Sequence, residues 1–515
     1  LSNRRKIGRA RLGLGYKRPL IGFSKGWYGW CMNKIVTVSE MKLIEQEADA
    51  SGLSYAMMME NAGQNLAESI VNAYSHNIPH AALALIGPGN NGGDTLICLS
   101  HLAELGWLTS AYLIKTRPAE DSLLHRAHNF NCSVYLGEDD VDYQILARLL
   151  LNHTILIDGV LGTGINLPLK GFIAKTLRHV HRFILQHPGA LHVVAVDCPS
   201  GMDCDTGRVA EETIPAEITV TMAAIKQGLL SFPAAAYTGH LQVVGIGDLS
   251  DICSWNKINR YVVDKQFVKG TLPPRPCDAH KGTFGTALIV AGSTNYTGAA
   301  QLAAQAALRS GVGLVQLAIP QVLHPILAGH VTEAIWVLLP QENGFIAEDA
   351  FELVLENLPK ASAWLIGPGM GLHQPTRDFV ERLVNHQSLK DLNIPLVIDA
   401  DGLRHLSTIP EWERKLFSPA ILTPHPGEMA FLTGHSVQEI QANRLIMAEK
   451  YAKLWGHVVV LKGACTVVAS PNGKTCIIPI ATPALAKAGS GDVLAGLIVG
   501  LLAQGVNPFE AAISG

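Results

Sequence analysis

AALALIG (81–87), PGNNGGD (88–94) and TLICLSHLAELG (95–106) follow one another without interruption. The first is a continuous apolar run, the second a turn rich in Gly and Asn, and the third carries apolar residues at helical spacing. The stretch therefore reads as strand, loop and helix. A strand without polar alternation is buried on both faces, which is the condition of a parallel sheet covered by helices. Similar runs follow at 110–114 (SAYLI), 154–159 (TILIDG), 192–197 (HVVAVD) and 217–221 (EITVT), several of them ending in an acidic residue. Upstream, Ser39 is placed to cap the helical segment SEMKLIEQEADA, and YAMMMENAGQNLAESIVNAY (55–74) forms a second helix.

The alternation lapses in the Pro-, Lys- and Gly-rich stretch 255–285 and then resumes. Its runs are TALIVAG (286–292), LVQLAI (314–319), AWLIGPG (363–369), PLVIDAD (395–401), AILTPHPGE (420–428), HVVVLKG (457–463) and TVVAS (466–470), with the Ala-rich helix GAAQLAAQAALRSG (298–311) among them. Two tandem α/β domains are expected, each three layers deep (α/β/α), over residues 35–252 and 253–515. Their combined length of 515 residues is too great for one ordinary core. Residues 1–34 are basic and free of acidic residues, and read as a disordered extension without function.

A net charge of −3 gives no field that would hold nucleic acid or an anionic membrane. Nine scattered cysteines without a C-x-x-C argue against a disulfide framework or a zinc site and fit a reducing cytoplasm. The longest apolar run, Leu494–Val506, is interrupted by Gly496, Gly500 and Gln504, and is too short to span a bilayer. A homo-oligomer is expected.

The loop GPGNNGGD (87–94) sets free backbone N–H groups at a helix start, where an anion is favoured, although its spacing is neither a dinucleotide fingerprint nor a Walker A. Asp158 and Asp197 stand at carboxyl ends of predicted strands, the edge where open α/β sheets take their ligands. Asp203 and Asp205, within a Gly-bounded turn, read better as turn formers. Taken together, NNGGD (90–94), DGVLGTG (158–164), VDCPSGMDCDTG (196–207) and MMENAG (58–63) resemble the NAD(P)H-hydrate epimerase domain, which implies a Rossmann-like fold. The resemblance implies a substrate pocket lined by Asn90, Asn91, Gly92, Gly93 and Asp94, and by Gly162, Thr163, Gly164, Ile165, Asn166, Leu167 and Pro168. It also implies substrate contact by Asp197, and a potassium ion held by Asn91, Asp158 and Ser200. Thr95 departs from the pattern, which commonly has another Gly there. Inverting the carbon that bears the hydroxyl calls for a carboxyl acting as acid and base, and Asp197 is the residue expected to serve.

AKAGSGDVLAG (486–496) is the most specific motif. It offers the amides of Gly489, Ser490 and Gly491 at a helix start with Asp492 beside them, which suits a phosphoryl group in transfer and a base for the accepting hydroxyl. LKGACT (461–466), GPGMG (367–371), VIDADGL (397–403) and PHPGE (424–428) again fall at strand ends and point to one cleft. With HKGTFG (280–285) and AGS (291–293), these segments resemble the ADP/ATP-dependent NAD(P)H-hydrate dehydratases of the ribokinase-like superfamily. That resemblance implies nucleotide contact by Lys462, Gly463, Ala464, Cys465, Thr466 and Gly491. It implies hydrate contact by Ala287, Gly371, His425 and Asp492, with magnesium on the nucleotide, and ADP converted to AMP and phosphate. The family continues beyond the position of Gly515, so the C-terminal packing is expected to be incomplete. Two competing readings exist: a vitamin kinase in the C-terminal half, which would leave a stable phosphate ester, and a non-catalytic binding or scaffold domain in the N-terminal half.

Overall fold

The structure is a computed structural model, and it describes residues 32–74, 79–118, 120–387, 389, 392–416 and 420–515. The basic extension at 1–31 lies outside the described residues. The chain builds two large sheets. Strand β1 (Ile35–Val36) and helices Val38–Ala50 and Tyr55–Tyr74 precede β2 (Ala81–Ile86), β3 (Leu108–Leu113), β4 (Ser133–Leu136), β5 (Ile155–Gly159), β6 (His192–Val196), β7 (Ile218–Met222), β8 (Ile225–Lys226) and β9 (His240–Val244). Seven of these form an all-parallel sheet in the order β4-β3-β2-β5-β6-β7-β9. All six residues of β2 are buried, as its unbroken apolar run requires. The order reverses between β2 and β5, so the loops after these two strands diverge around a crevice.

The second series is β10 (Arg260–Val262), β11 (Thr286–Val290), β12 (Leu314–Pro320), β13 (Ile335–Leu339), the hairpin β14 (Gln341–Glu342) and β15 (Phe345–Ile346), β16 (Ala363–Ile366), β17 (Leu396–Ile398), β18 (Ile421–Leu422), β19 (Val458–Leu461), β20 (Val467–Ala469) and β21 (Thr475–Ile477). Ten of them pair in the order β10-β21-β20-β19-β18-β17-β16-β11-β12-β13, parallel except around β20. Here the switch point lies between β11 and β16. Helix Ser490–Ala503 packs across this sheet against helix Thr297–Ser310 at very short range: a Cβ on Gly496 would stand 2.2 Å from the Ala303 carbonyl. The glycines that interrupt this apolar run are thus what let two helices touch backbone to backbone. No helix among the described residues is long and apolar enough to cross a membrane.

The capping prediction moves by two residues. Thr37, not Ser39, caps the first helix, exchanging hydrogen bonds with Glu40 in a capping box. The two sheets are joined through β1, which pairs with β8, while Asn33 accepts from the Val262 amide of β10 at 2.8 Å.

Thr95 has a steric counterpart. It donates to the Asn91 carbonyl at 2.6 Å, and a Cβ on Gly159 would fall 2.0 Å from its hydroxyl oxygen. Gly159→Ala is therefore expected to destabilise the protein by about 1–3 kcal/mol. Thr95→Gly in the same chain should recover most of that loss, which denaturant titration of the two variants would measure. Additive losses would contradict the contact.

Candidate functional site

At the switch point of the first sheet, Asp158, the last residue but one of β5, is fully buried. Its carboxylate accepts the Ser200 amide at 2.8 Å and the Ser200 hydroxyl, while that hydroxyl oxygen accepts the Leu161 amide at 2.9 Å. Asn91, on helix Asn90–Glu104, reaches the same spot and donates to the carbonyls of Leu161 at 3.2 Å and Val196 at 3.0 Å. Asn91, Asp158 and Ser200 are therefore brought together, although they are widely separated in sequence. Burial raises the Asp158 carboxyl above its usual range, against the Ser200 hydrogen bonds. No cationic side chain pairs with it among the described residues. Gly162 flanks the cluster: a Cβ there would lie 3.6 Å from Asn91 Oδ1. Thr163 to Pro168 form the partly exposed loop that leaves this point.

Asp197 turns off the end of β6 and is ion-paired to Lys226, a residue the sequence reading passed over. Lys226 is fully buried on β8, and the attraction of Asp197 more than offsets the cost of burying its charge, raising its basicity. Asp94, in the first turn of helix Asn90–Glu104, is pushed well above the usual carboxyl range by burial, then by the negative charges of Asp197 and Glu45. Two carboxyls, Asp94 and Asp197, thus lie close enough to influence one another at this edge. Asp203 and Asp205 are turn and contact residues as expected: Asp203 accepts the amides of Asp205 and Thr206 at 3.0 Å, and Asp205 accepts that of Val38 at 2.8 Å.

The second cluster lies at the carboxyl edge of the ten-stranded sheet. Asp399 follows β17, is 1% exposed, and accepts Lys462 Nζ at 2.6 Å and the Thr423 hydroxyl at 2.7 Å. Glu428 lies 3.6 Å from the same ammonium. Burial works against the Lys462 charge, but the two carboxylates outweigh it and raise its basicity. Gly491 opens helix Ser490–Ala503 beside this pair; a Cβ on it would stand 3.5 Å from Lys462 Nζ and 3.9 Å from Asp399 Oδ2. Asp492 is the next residue. Burial first, and then the charges of Asp399 and Asp401 against that of Lys462, push its carboxyl up to about 6. Gly371 joins the edge through its amide, which donates to Asp401 Oδ2 at 2.8 Å. After β11, Ser293 donates to the Gly369 carbonyl at 2.8 Å and so closes the floor at the switch point.

Ala287 is the second residue of β11 and is fully buried in the apolar core. Its strand runs three more residues, about 10 Å, before its carboxyl end. His425 is a helix cap: its Nδ1 accepts the amides of Gly427 at 2.9 Å and Glu428 at 3.2 Å, and its backbone amide donates to Glu428. Its Nε2 lies 3.4 Å from Glu428 Oε1, and its side chain is 56% exposed. Of the LKGACT loop, Lys462 is inside the cluster, and Gly463 packs on Arg444, whose guanidinium donates to the Leu461 carbonyl at 2.8 Å. Cys465 is buried in left-handed backbone at φ 54°.

Comparison with known proteins meets these two clusters separately and together. The family described as YjeF-related protein N-terminus matches residues 55–228, and the family described as NAD(P)H-hydrate dehydratase matches residues 287–515. The bifunctional NAD(P)H-hydrate repair enzyme Nnr of Moorella thermoacetica is 36% identical over 494 residues, covering 93% of this chain and 90% of that protein. The protein of the same name from Thermofilum pendens is 34% identical over 485 residues, 93% of this chain and 89% of its own length. Among solved structures, an ADP/ATP-dependent NAD(P)H-hydrate dehydratase from Bacillus subtilis, co-crystallised with ATP/Mg2+, is 33% identical, with a TM-score of 0.41 over 49% of this chain and 84% of that one.

Proposed function

This chain belongs to the bifunctional NAD(P)H-hydrate repair enzymes, and from that premise we propose which residues carry each of its two reactions. Its N-terminal half, residues 35–252, epimerises hydrated NADH and NADPH, and its C-terminal half, residues 253–515, dehydrates the usable epimer with an adenine nucleotide. The observation that carries the assignment is the second cluster: a base raised to about 6, helix-start amides and a buried lysine meet at one sheet edge.

Hydroxide leaves the hydrated ring poorly, whereas phosphate leaves well. Asp492 accepts the proton of the hydrate hydroxyl as that oxygen takes the terminal phosphoryl group of ADP or ATP. Amides of Gly489 to Gly491 hold the transferring group, and Lys462 faces the nucleotide phosphates. The ring nitrogen then expels phosphate, and loss of the C5 proton restores the dihydronicotinamide. Among the described residues no three His, Cys, Asp or Glu side chains are grouped to cage a metal ion. Magnesium would come with the nucleotide and would neutralise phosphate charge there. Gly371 and the exposed edge of His425 line the hydrate side, and Gly463 to Thr466 the nucleotide side.

In the epimerase half, Asn90 to Asp94 and Gly162 to Pro168 enclose the hydrate, and Asp197 moves its hydroxyl proton. Asp158, Ser200 and Asn91 hold potassium, for which a buried carboxylate among neutral oxygens is the fitting donor set. Its contribution is to order these loops. Potassium added to a potassium-free preparation is expected to raise the thermal midpoint and the epimerisation rate. Asp158→Asn should lose both responses; a midpoint that ignores potassium in the wild type contradicts the assignment.

Product analysis tests the overall reading. One inorganic phosphate should appear per dihydronicotinamide restored, whereas a stable phosphate ester would mark a kinase instead.

A further inference from the structure

Asp197 is a non-glycine residue in left-handed backbone, at φ 63°, a conformation held only where the surroundings compensate. The compensation is gathered on one oxygen. Oδ1 accepts from Lys226 Nζ, from the Thr221 hydroxyl at 3.0 Å and from the Met222 amide at 3.1 Å. Oδ2 accepts from no donor among the described residues, and the side chain remains 13% exposed. Lys226 is fixed in its turn, donating also to Thr221 Oγ1 at 3.2 Å and to the Met222 carbonyl at 3.0 Å. All three of its protons are therefore placed. A pair that served only to tie strands together would leave no reason for one oxygen to be triply held and the other bare at the ligand edge of the sheet.

We propose that Lys226 is a positioning residue for epimerisation, locking Asp197 Oδ1 so that Oδ2 is the atom that exchanges a proton with the hydroxyl of the bound hydrate. The inference rests on Asp197 being the epimerisation catalyst. As Oδ2 takes the hydroxyl proton, C6 and its oxygen form a carbonyl and the C6–N1 bond breaks with its electron pair on N1; N1 then re-attacks the opposite face of C6 and Oδ2 returns the proton to that oxygen, so the residue ends the cycle as it began. The other titratable groups that face this pair are Asp94 from helix Asn90–Glu104, Glu45 from helix Val38–Ala50, and the thiols of Cys198 and Cys204. Without the ammonium the carboxylate forms less readily, and the acid limb of the epimerisation rate moves to higher pH.

The test is the pH profile of epimerisation, followed by NMR of the two hydrate epimers, for Asp197→Asn, Lys226→Met, Lys226→Arg and Thr221→Val. Dehydration of the usable epimer by each variant reports that the chain is folded. Asp197→Asn should lose roughly 100-fold or more at every pH. Lys226→Met should move the acid limb up by about one pH unit or more, with activity partly regained at high pH. Thr221→Val should move it the same way by less, and Lys226→Arg should restore most of the native profile. A limb that stays in place in both Lys226→Met and Thr221→Val overturns the proposal, and if Lys226→Met does not fold, Thr221→Val and Lys226→Arg decide it. An active Asp197→Asn would instead refute Asp197 as catalyst, a distinguishable failure.

Discussion

Asp492→Asn stops dehydration, lowering kcat about a thousand-fold, and leaves epimerisation at its native rate. The amide keeps the shape of the carboxyl but cannot take the hydroxyl proton, so no oxygen becomes a phosphate ester. Because the native carboxyl is pushed up to about 6, dehydration should fall as the pH drops through that value, with the base already charged at pH 7. The effect on stability has the opposite sign. A carboxyl raised on folding binds its proton more tightly in the folded than in the unfolded state, so between about 4 and 6 stability falls as pH rises. At neutral pH the charged group is therefore a net cost, on the order of 1 kcal/mol once discounted for its partial exposure. Asp492→Asn should accordingly be slightly more stable than the wild type at pH 7 and no more stable at pH 3.5, as paired denaturant titrations would measure. A dead variant that is also less stable would mean that Asp492 holds the helix start rather than the substrate proton.

Lys462→Met destabilises the protein by about 3–5 kcal/mol and removes dehydration as well. Asp399 is 1% exposed and pairs with this ammonium at 2.6 Å, so losing the lysine leaves a buried carboxylate facing Glu428 without a cation. Adding Asp399→Asn should return most of the stability, since the charge left unpaired is gone. It should not return activity, because the nucleotide phosphates still lack their partner. Stability and catalysis thus separate in one double-mutant cycle. Recovery of both would make the pair purely structural, and recovery of neither would place the loss in packing of the Lys462 stem.

The sequence foretold the regular parts of the fold through one physical signal, continuous apolar runs that end in Gly- or Asp-rich turns. β2, β5, β6, β11, β16 and β17 all carry it and all deliver site loops. Strands such as β4 and β13 were not legible, because edge strands are only partly buried and lose the unbroken apolar pattern. Asp492, Gly491 and Lys462 were found because helix-start glycines and a turn lysine have their own local chemistry. Asp399, Glu428 and Lys226 were not, since what marks each is a charge partner 29 to 63 residues away, and only folding supplies it. Lys226 carries no local motif, yet it is among the largest fully buried side chains of the described residues.

Oxygen labelling follows the decisive atom. With 18O placed in the hydroxyl of the usable hydrate, dehydration in the presence of magnesium and ADP or ATP should deliver the label into inorganic phosphate, one atom per dihydronicotinamide restored. Label recovered in water would show that the hydroxyl leaves unphosphorylated, and the chemistry assigned to Asp492 and the Gly489 to Gly491 amides would be wrong.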